Sequence, residues 1–337
     1  MSDTVLQERG TTKSLDAFVV AAAFTPSGQT AFALGDGTLH IVPPQGEWHQ
    51  IEAHDGAILA MAVSRQGWIT AGDDGKLRRV APDGTLSDIA KFGSKWVEQV
   101  AAWDGPKAGL IACGVGKTLH LFDADGVKLK ELTHPSTVSG IAFDAKGKRV
   151  GASHYGGCTL WFVGAKTDSP RAMDWKGSHL GIAMHPAAEA VVTSMQENAL
   201  HGWRLADGQH MRMSGYPAKC ESMSFSRTGK WLASAGAESI VLWPFFGGGP
   251  MGKAPMELAG GDNVLCTRVA FHPQQDMVAA GFSDGLVVVA DVTTERVLPV
   301  VGPGRGPVSA LAWSNDGARL AFGTETGFAA LVDLSKR

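Results

Sequence analysis

A glycine-rich stretch near residue 250 has the spacing most suggestive of chemistry in this sequence. Residues 247–253, "GGGPMGK", match the G-x-x-x-x-G-K pattern of loops that hold nucleotide phosphates, but Ala254 stands where serine or threonine would bind magnesium. Such a loop also needs a helix after the lysine to direct amides at the phosphates. Pro255 and the strand-like "PMEL" follow instead. The sequence therefore predicts an enlarged turn between strands, and we predict no cofactor.

Metal binding is a second chemistry to consider, because the chain has eleven histidines. His154, Cys158 and His179 are residue types that bind zinc, but a zinc site needs three or four ligands in fixed geometry. These three residues come from different predicted loops, so a structural role is the alternative, and the sequence leaves both open. The four cysteines contain no C-x-x-C pair, and we expect them to be small buried hydrophobic residues.

Motifs for nucleophilic or hydrolytic catalysis are weak. The sequence contains no G-x-S-x-G motif. Asp36, Asp74 and Glu197 occupy corresponding predicted turns, where carboxylates also serve as turn-forming residues. We therefore predict that the protein is not an enzyme.

Composition narrows the class of protein. The chain is 44% hydrophobic and 19% charged, which is typical of a globular protein with a well-filled core. A net charge of -3 without a long basic run argues against a nucleic-acid partner. The N-terminus lacks the pattern of a secretion signal, and no long apolar run is present. We expect a cytoplasmic protein with neither a nucleic-acid nor a membrane partner.

An internal repeat dominates the chain. Eight similar units occur, each with a large apolar residue at the same position, spaced 39 to 46 residues apart. In chain order these anchors are Phe24, Val63, Trp103, Phe143, Met184, Phe225, Phe271 and Trp313. Each unit has short apolar stretches separated by turns such as Asp36-Gly37, which suit two-residue hairpins. The unit is therefore predicted to be a four-stranded antiparallel meander.

The residue before each anchor is small. It is alanine in seven units and Ser224 in the sixth. Because side chains alternate between the faces of a strand, each first strand presents a bulky group to one side and a small one to the other. This pattern suits sheets that converge on a common axis. A sheet that is apolar on both faces must also stack on neighbours, so the repeat predicts a ring of sheets.

We therefore predict an all-β fold, a single β-propeller of four-stranded antiparallel blades, with eight blades and seven as the alternative. The domain spans residues 1–337, and its repeats start near residues 17, 57, 97, 136, 178, 219, 264 and 306. The last unit reaches only its third strand, whereas residues 4–10 resemble the fourth strands of other units. A closing strand within residues 1–12 is expected to complete the last blade.

With this pattern the chain resembles the WD-repeat (Trp-Asp repeat) β-propeller family over nearly its whole length. Blades of that family link a loop histidine, a second-strand serine or threonine, a turn aspartate and a third-strand tryptophan by hydrogen bonds. The second unit comes nearest, with His54, Thr70 and Asp74, but Val80 replaces the tryptophan. Because the motifs are degenerate, we expect these networks to be largely absent and packing to supply most of the stability.

Two groups of residues could bind a partner. The loops that begin the first strands share one predicted face and carry aromatic and basic residues, the types enriched at binding hot spots. They include Lys95, Trp96, Trp175, Lys176, Tyr216, Lys219 and Arg305. The glycine-rich loop places Phe245 and Phe246 on the opposite face. In both groups the alternative is that the aromatic residues pack within the protein.

The resemblance and the weak catalytic motifs together imply a function. We expect a non-enzymatic protein-protein interaction scaffold that presents its loops to a partner protein or peptide, as a monomer or as part of a hetero-complex. The alternative is a small-molecule-binding or hydrolytic, lactonase-like propeller with a site at the mouth of its central channel.

Overall fold

The fold is that of a computed structural model, which describes residues 4–43 and 47–335. Within these residues the chain forms one short helix, α1 (Thr4–Arg9), followed by β1 (Gly10–Ser14) and 29 further strands. No helix in these ranges is long and apolar enough to cross a membrane. The strands form antiparallel sheets, as the repeat predicts.

The first three sheets each contain four strands in chain order. The first comprises β2 (Val19–Phe24), β3 (Thr30–Leu34), β4 (Thr38–Val42) and β5 (His49–Glu52). The second comprises β6 (Ile58–Ser64), β7 (Gly67–Gly72), β8 (Lys76–Val80) and β9 (Leu86–Lys91). The third comprises β10 (Gln99–Asp104), β11 (Gly109–Val115), β12 (Thr118–Asp123) and β13 (Lys128–Thr133).

The fourth sheet has six strands and joins two sequence units. It comprises β14 (Gly140–Phe143), β15 (Arg149–Phe162), β16 (Arg171–Met184), β17 (Ala190–Met195), β18 (Ala199–Arg204) and β19 (His210–Ser214). Strand β15 folds back on itself as a hairpin. The amide of Val163, just after its end, donates to the carbonyl of Lys148, just before its start, at 2.9 Å. Strand β16 pairs with β15 through residues 171–174 and 178, and with β17 through residues 179 and 182–184.

The last three sheets again have four strands. One comprises β20 (Met223–Phe225), β21 (Trp231–Ser234), β22 (Ile240–Pro244) and β23 (Met256–Leu258). The next comprises β24 (Cys266–Phe271), β25 (Met277–Phe282), β26 (Val287–Asp291) and β27 (Val297–Val301). The final sheet comprises β28 (Val308–Trp313), β29 (Arg319–Thr324), β30 (Phe328–Asp333) and β1.

The prediction of eight separate blades is therefore wrong, since the described strands form seven sheets. The physical reason lies in β16, a single 14-residue strand that serves as the last strand of the fourth sequence unit and the first strand of the fifth, with an irregularity in each of its two ladders. Two sequence units thus share one sheet. The coarser prediction, a single all-β propeller of antiparallel four-stranded units, is confirmed.

The first strands of the units surround the centre of the propeller. Each contacts the next, from β2 through β6, β10, β14, the second half of β16, β20, β24 and β28, and β28 contacts β2. Across this last contact the Ser309 hydroxyl donates to the Val19 carbonyl at 2.6 Å. The small residues before the anchors all lie in these strands and are half-buried, which fits a position beside a central opening.

Burial changes regularly across each sheet. Every residue of the second and third strands β3 and β4 is buried, whereas the fourth strand β9 is mostly exposed. Because successive residues point to opposite faces, a strand that is buried throughout must be covered on both sides. Apolar clusters between neighbouring sheets supply this cover. In one of them, Leu39 and Ile41 of β4 pack with Trp68 of β7.

The N-terminal segment differs in part from the prediction. Residues 1–3 of the expected strand lie outside the described residues, and residues 4–9 form α1 rather than a strand. The strand that pairs with the last unit is β1, in which Gly10 lies opposite Val332. Because β30 ends one residue later, the residues before Gly10 have no strand to pair with. These residues form α1 instead, and Leu6 of this helix is buried in an apolar cluster.

We predict that deletion of residues 1–14 lowers the thermal midpoint by more than about 5 °C, because it leaves β30 with an unpaired edge and uncovers the Leu6 cluster. Circular dichroism melting would measure this. Leu6→Ala, which leaves β1 in place, should have a smaller effect of about 2 kcal/mol. An unchanged midpoint after the deletion would show that β1 contributes nothing to the stability of the ring.

Candidate interaction surfaces

Two opposite faces carry the connections between strands. Successive turns of an antiparallel sheet alternate between its two ends. The loops before the first strands therefore share one face, here called the upper face, with the hairpin turns between second and third strands. Backbone hydrogen bonds join the two kinds of connection, as where the Ala53 amide donates to the Gly37 carbonyl at 3.1 Å. The remaining turns and loops form the lower face.

The loop between β9 and β10 carries the most exposed of the predicted aromatic binding residues. Trp96 is 57% exposed, and Lys95 beside it is also exposed. The next residue, Val97, is fully buried, and its amide donates to the carbonyl of Gly72 at 3.0 Å. Trp96 is thus held out into solvent by a loop whose following residue is fixed in the core.

Three other predicted residues of the upper face are arranged differently. The Trp175 indole stacks on the His201 ring, with centroids 4.1 Å apart and planes 16° apart, and is half-buried. Lys176 is exposed next to it. The Arg305 guanidinium lies 5.1 Å from the centroid of the Phe328 ring and is half-buried. Of these three residues, only Lys176 is exposed.

Tyr216 lies inside the protein. Its hydroxyl is hydrogen-bonded to the Ser234 hydroxyl at 2.6 Å and accepts from the Trp243 indole N–H, also at 2.6 Å. Burial raises the pKa of the Tyr216 phenol above its usual range. Tyrosine here takes the position of the loop histidine in the WD-repeat network. Tyr216 has a structural contact, whereas nearby Lys219 is exposed.

The glycine-rich loop between β22 and β23 lies on the lower face. Phe245 is buried, and Phe246 is 47% exposed. The Lys253 ammonium donates to the Gly249 carbonyl at 2.9 Å and to the Phe246 carbonyl, and it lies 4.8 Å from the centroid of the Phe246 ring. The lysine is therefore bound to carbonyls of its own loop, and strand β23 follows where a phosphate-binding loop has a helix.

Exposed aromatic residues also occur at positions that the sequence analysis did not select. Phe18 and Tyr155 lie on the upper face and are 41% and 60% exposed, and Phe162 lies on the lower face and is 53% exposed. Turns usually contain small or polar residues. An aromatic residue in a predicted turn, such as Tyr155 in "SHYGG", was the available signal.

The possible metal ligands each have a structural partner. The His154 ring is hydrogen-bonded to the Thr159 hydroxyl at 2.8 Å, and the His179 ring to the Thr193 hydroxyl at 2.6 Å. Burial raises the pKa of the Cys158 thiol, which keeps it protonated. Within the described part of the chain, no group of three or more histidine, cysteine, aspartate or glutamate residues could hold a metal ion.

The carboxylates of the hairpin turns accept hydrogen bonds from backbone amides of their own turn or of a neighbouring loop. The Asp36 carboxylate accepts from the Thr38 amide at 3.0 Å, and the Glu197 carboxylate accepts from the Ser178 amide at 3.1 Å. Side chains in these roles shape turns and join loops, which agrees with the structural reading of these residues.

Asp74 belongs to a network in the second unit. Its carboxylate is 2.8 Å from Nδ1 of His54, whose Nε2 is 2.9 Å from the Thr70 hydroxyl. Burial raises the pKa of Asp74, but hydrogen bonds from His54 and from backbone amides outweigh it and hold that pKa at about 2. Burial lowers the pKa of His54 by more than Asp74 raises it. At neutral pH a neutral imidazole therefore donates to a carboxylate.

Partial networks of this kind are more numerous than the degenerate motifs predict. In the fourth unit the Trp161 indole N–H donates to Nε2 of His134 at 3.0 Å, and the sixth unit has the Tyr216 network. The prediction that such networks are largely absent is thus too strong. A tyrosine can substitute for the histidine, because its hydroxyl also accepts a hydrogen bond from the tryptophan.

We predict that acid destabilises the protein through its buried histidines. Burial lowers the pKa of His134 to about 4 and that of His201 to about 3. These groups take up protons in the unfolded chain before they do so in the folded protein. The free energy of unfolding therefore falls as the pH drops below about 6.5, the ordinary pKa of histidine. Thermal midpoints should be constant near neutral pH and fall toward pH 4. Midpoints that do not change over this range would contradict the prediction.

We also predict that Tyr216→Phe lowers the free energy of unfolding by about 1–3 kcal/mol, because the buried Trp243 N–H loses its acceptor. Urea unfolding would measure this loss. The matched control is Lys219→Ala on the same loop, which should change the stability by less than about 0.5 kcal/mol. If both variants were as stable as the parent, the network would be energetically unimportant.

Known proteins match both the sequence and the architecture. A family model described as the anaphase-promoting complex subunit 4 WD40 domain matches residues 267–337. The Mus musculus protein named "Telomerase protein component 1" is 23% identical over 341 residues. That match covers 91% of this chain, and the chain spans only 12% of the relative's length.

A solved structure provides an independent match to the fold. The crystal structure of the computationally designed Ika8 protein superimposes with a TM-score of 0.78 at 17% identity, covering 95% of this chain and 98% of the designed one. At that identity the likeness shows the fold alone. Taken with the repeated antiparallel units, the family match over residues 267–337 and the mouse relative support a WD-repeat β-propeller.

Proposed function

We propose that the protein is a non-enzymatic scaffold that binds a partner protein on its upper face, through the loop of Lys95 and Trp96. The observation that carries this proposal is the 57% exposure of Trp96. Tryptophan is among the residues most enriched at binding hot spots, where it fills a pocket of the partner. An exposed large aromatic side chain points to a binding site, whereas an exposed charged side chain is ordinary and does not.

The loop that carries Trp96 is already ordered before any partner binds. The amide of Phe92 donates to the carbonyl of Gly75 at 2.8 Å on one side, and Val97 is fixed in the core on the other. A Cβ on Gly75 would lie 2.0 Å from the Gly93 carbonyl oxygen, so the turn and the loop are in close contact. Binding would therefore cost little loop entropy, which favours affinity.

Other exposed residues extend the proposed surface. Tyr155 is 60% exposed in the hairpin turn of the fourth unit, and Lys176 and Lys219 are exposed on further upper-face loops. Aromatic anchors surrounded by charged residues are the usual anatomy of a protein interface. The matched family model is named for a subunit of a complex, which supports a role within a hetero-complex. We propose that this role is cytoplasmic.

The proposal is tested by photo-crosslinking in the native cell. A benzoylphenylalanine at position 96 should capture one partner protein in stoichiometric amount, because that side chain lies at the proposed contact. The matched control places the same group at Leu86, an exposed apolar residue of the same unit that lies on an outer strand. Position 86 should give no such product.

Purified proteins then provide the quantitative test. Lys95→Glu combined with Trp96→Ala should weaken binding of the captured partner by about 100-fold, a loss expected for a hot spot, and should leave the thermal midpoint unchanged. Equal capture from positions 86 and 96, or unchanged affinity of the double variant, would contradict the upper-face proposal. Turnover in a broad substrate screen would contradict the non-enzymatic role.

A further inference from the structure

The lower face contains an open apolar cavity of about 580 Å³ between the third and fourth sequence units. Its lining includes Trp103, Leu110, Phe162 and Val163 together with small residues. Phe162 is 53% exposed there. Cavities of this size accommodate a ligand or several side chains of a partner, and an exposed apolar surface of this kind marks a binding site.

The floor of this cavity is rigid. The Trp103 indole N–H donates to the Ala145 carbonyl at 3.1 Å, across the boundary between the two units. Gly147 has a φ of +62°, and a Cβ at this position would lie 2.5 Å from the Trp103 ring. Gly147 therefore allows the turn to lie flat against the indole, and the ring is held in one orientation.

The wall formed by the loop after β15 is also fixed. The Lys130 ammonium donates to the Ala165 carbonyl at 2.7 Å and pairs with Asp168, and both partners belong to this loop. The amide of Val163 is hydrogen-bonded to the carbonyl of Lys148 on the opposite turn. The groove is thus preformed by contacts that leave its apolar interior open.

Four lysines border the groove on three different connections. They are Lys107, Lys146, Lys148 and Lys166, all exposed, and each lines the cavity or is adjacent in sequence to a lining residue.

Three nearby carboxylates already have cationic partners. Asp104 pairs with Arg65, and Asp168 pairs with Lys130. Asp144 is buried and lies 3.9 Å from Arg149. The border of the groove is therefore positive, although the chain as a whole has a net charge of -3.

We propose that this groove binds an acidic peptide segment of a partner protein, with one central aromatic or large aliphatic side chain. That side chain fills the cavity over Trp103 and Phe162, and the flanking carboxylates lie near the lysines. An extended segment can reach all three connections at once. The apolar floor favours a peptide over a nucleic acid, because a sugar-phosphate backbone would contact only the bordering lysines, whereas an apolar side chain of a peptide also fills the cavity.

Fluorescence anisotropy with a labelled peptide tests the proposal on the full-length protein. The probe has about ten residues, with one central phenylalanine flanked on both sides by glutamate and aspartate, a length typical of peptide recognition. Lys146→Glu combined with Lys148→Glu should weaken its binding by about tenfold or more, and the binding should weaken as salt is raised. A probe with alanine in place of phenylalanine should bind about tenfold more weakly.

The matched control is Lys230→Glu, which occupies the same position as Lys148 in the corresponding turn of the sixth unit and is likewise exposed. It should leave the affinity unchanged. Phe162→Ala should weaken binding of the peptide. It should not shift the thermal midpoint, because more than half of the Phe162 side chain lies in solvent.

Three outcomes would overturn the proposal. They are absence of measurable peptide binding, equal loss from Lys230→Glu, and displacement of the peptide by a single-stranded oligonucleotide of equal charge at lower concentration. Because the upper-face variant with Lys95→Glu and Trp96→Ala should bind this peptide normally, failure here and failure of the upper-face proposal can be distinguished.

Discussion

The architecture depends on one constraint, which is that the second strand of each sequence unit is buried on both faces. All seven residues of β11 are buried, and so are all six of β7. Neither strand could be stable in an isolated sheet, because one apolar face would remain in water. Each sheet therefore needs a neighbour on both sides. Cys113 of β11, for example, packs in one cluster with Ile69 of β7.

This constraint explains why the proposed binding residues lie at the ends of the strands. Side chains inside the sheets are committed to packing, whereas connections can vary without opening an apolar cluster. The two faces use this freedom differently. On the upper face, Trp96 projects from a loop that is bound to the neighbouring turn. On the lower face, Trp103 and Phe162 form a concave apolar surface. We propose that the first surface enters a partner and that the second receives one.

Much of the fold could be predicted from the sequence, because burial that repeats from unit to unit requires apolar residues at repeating positions in the sequence. The repeat spacing, the hairpin turns and the small residues of the first strands all follow from stacking of sheets around a centre. The number of separate sheets could not be predicted from these features. Whether β16 breaks between two units depends on backbone pairing over residues 171–184, and side-chain types carry little information about it. The helix at Thr4–Arg9 was missed because its apolar residues also fit a short strand.

The binding residues were harder to predict, since the same residue type can be buried or exposed in similar loops. Tyr216 is bound to Trp243, and Phe245 is buried, while the neighbouring Phe246 is not. Only the three-dimensional contacts separate these cases. The lower-face groove was missed for a related reason. It combines residues from three connections that are distant in sequence, and its lysines look like ordinary solvated side chains.

The shared six-stranded sheet has a consequence for the way the molecule can come apart. The fourth and fifth units share one 14-residue strand, β16, which pairs with β15 in its first half and with β17 in its second. Because one strand takes part in both pairings, we expect these two units to lose their order together. We expect fraying to begin elsewhere, at the contact between β28 and β2, where the last sheet meets the first.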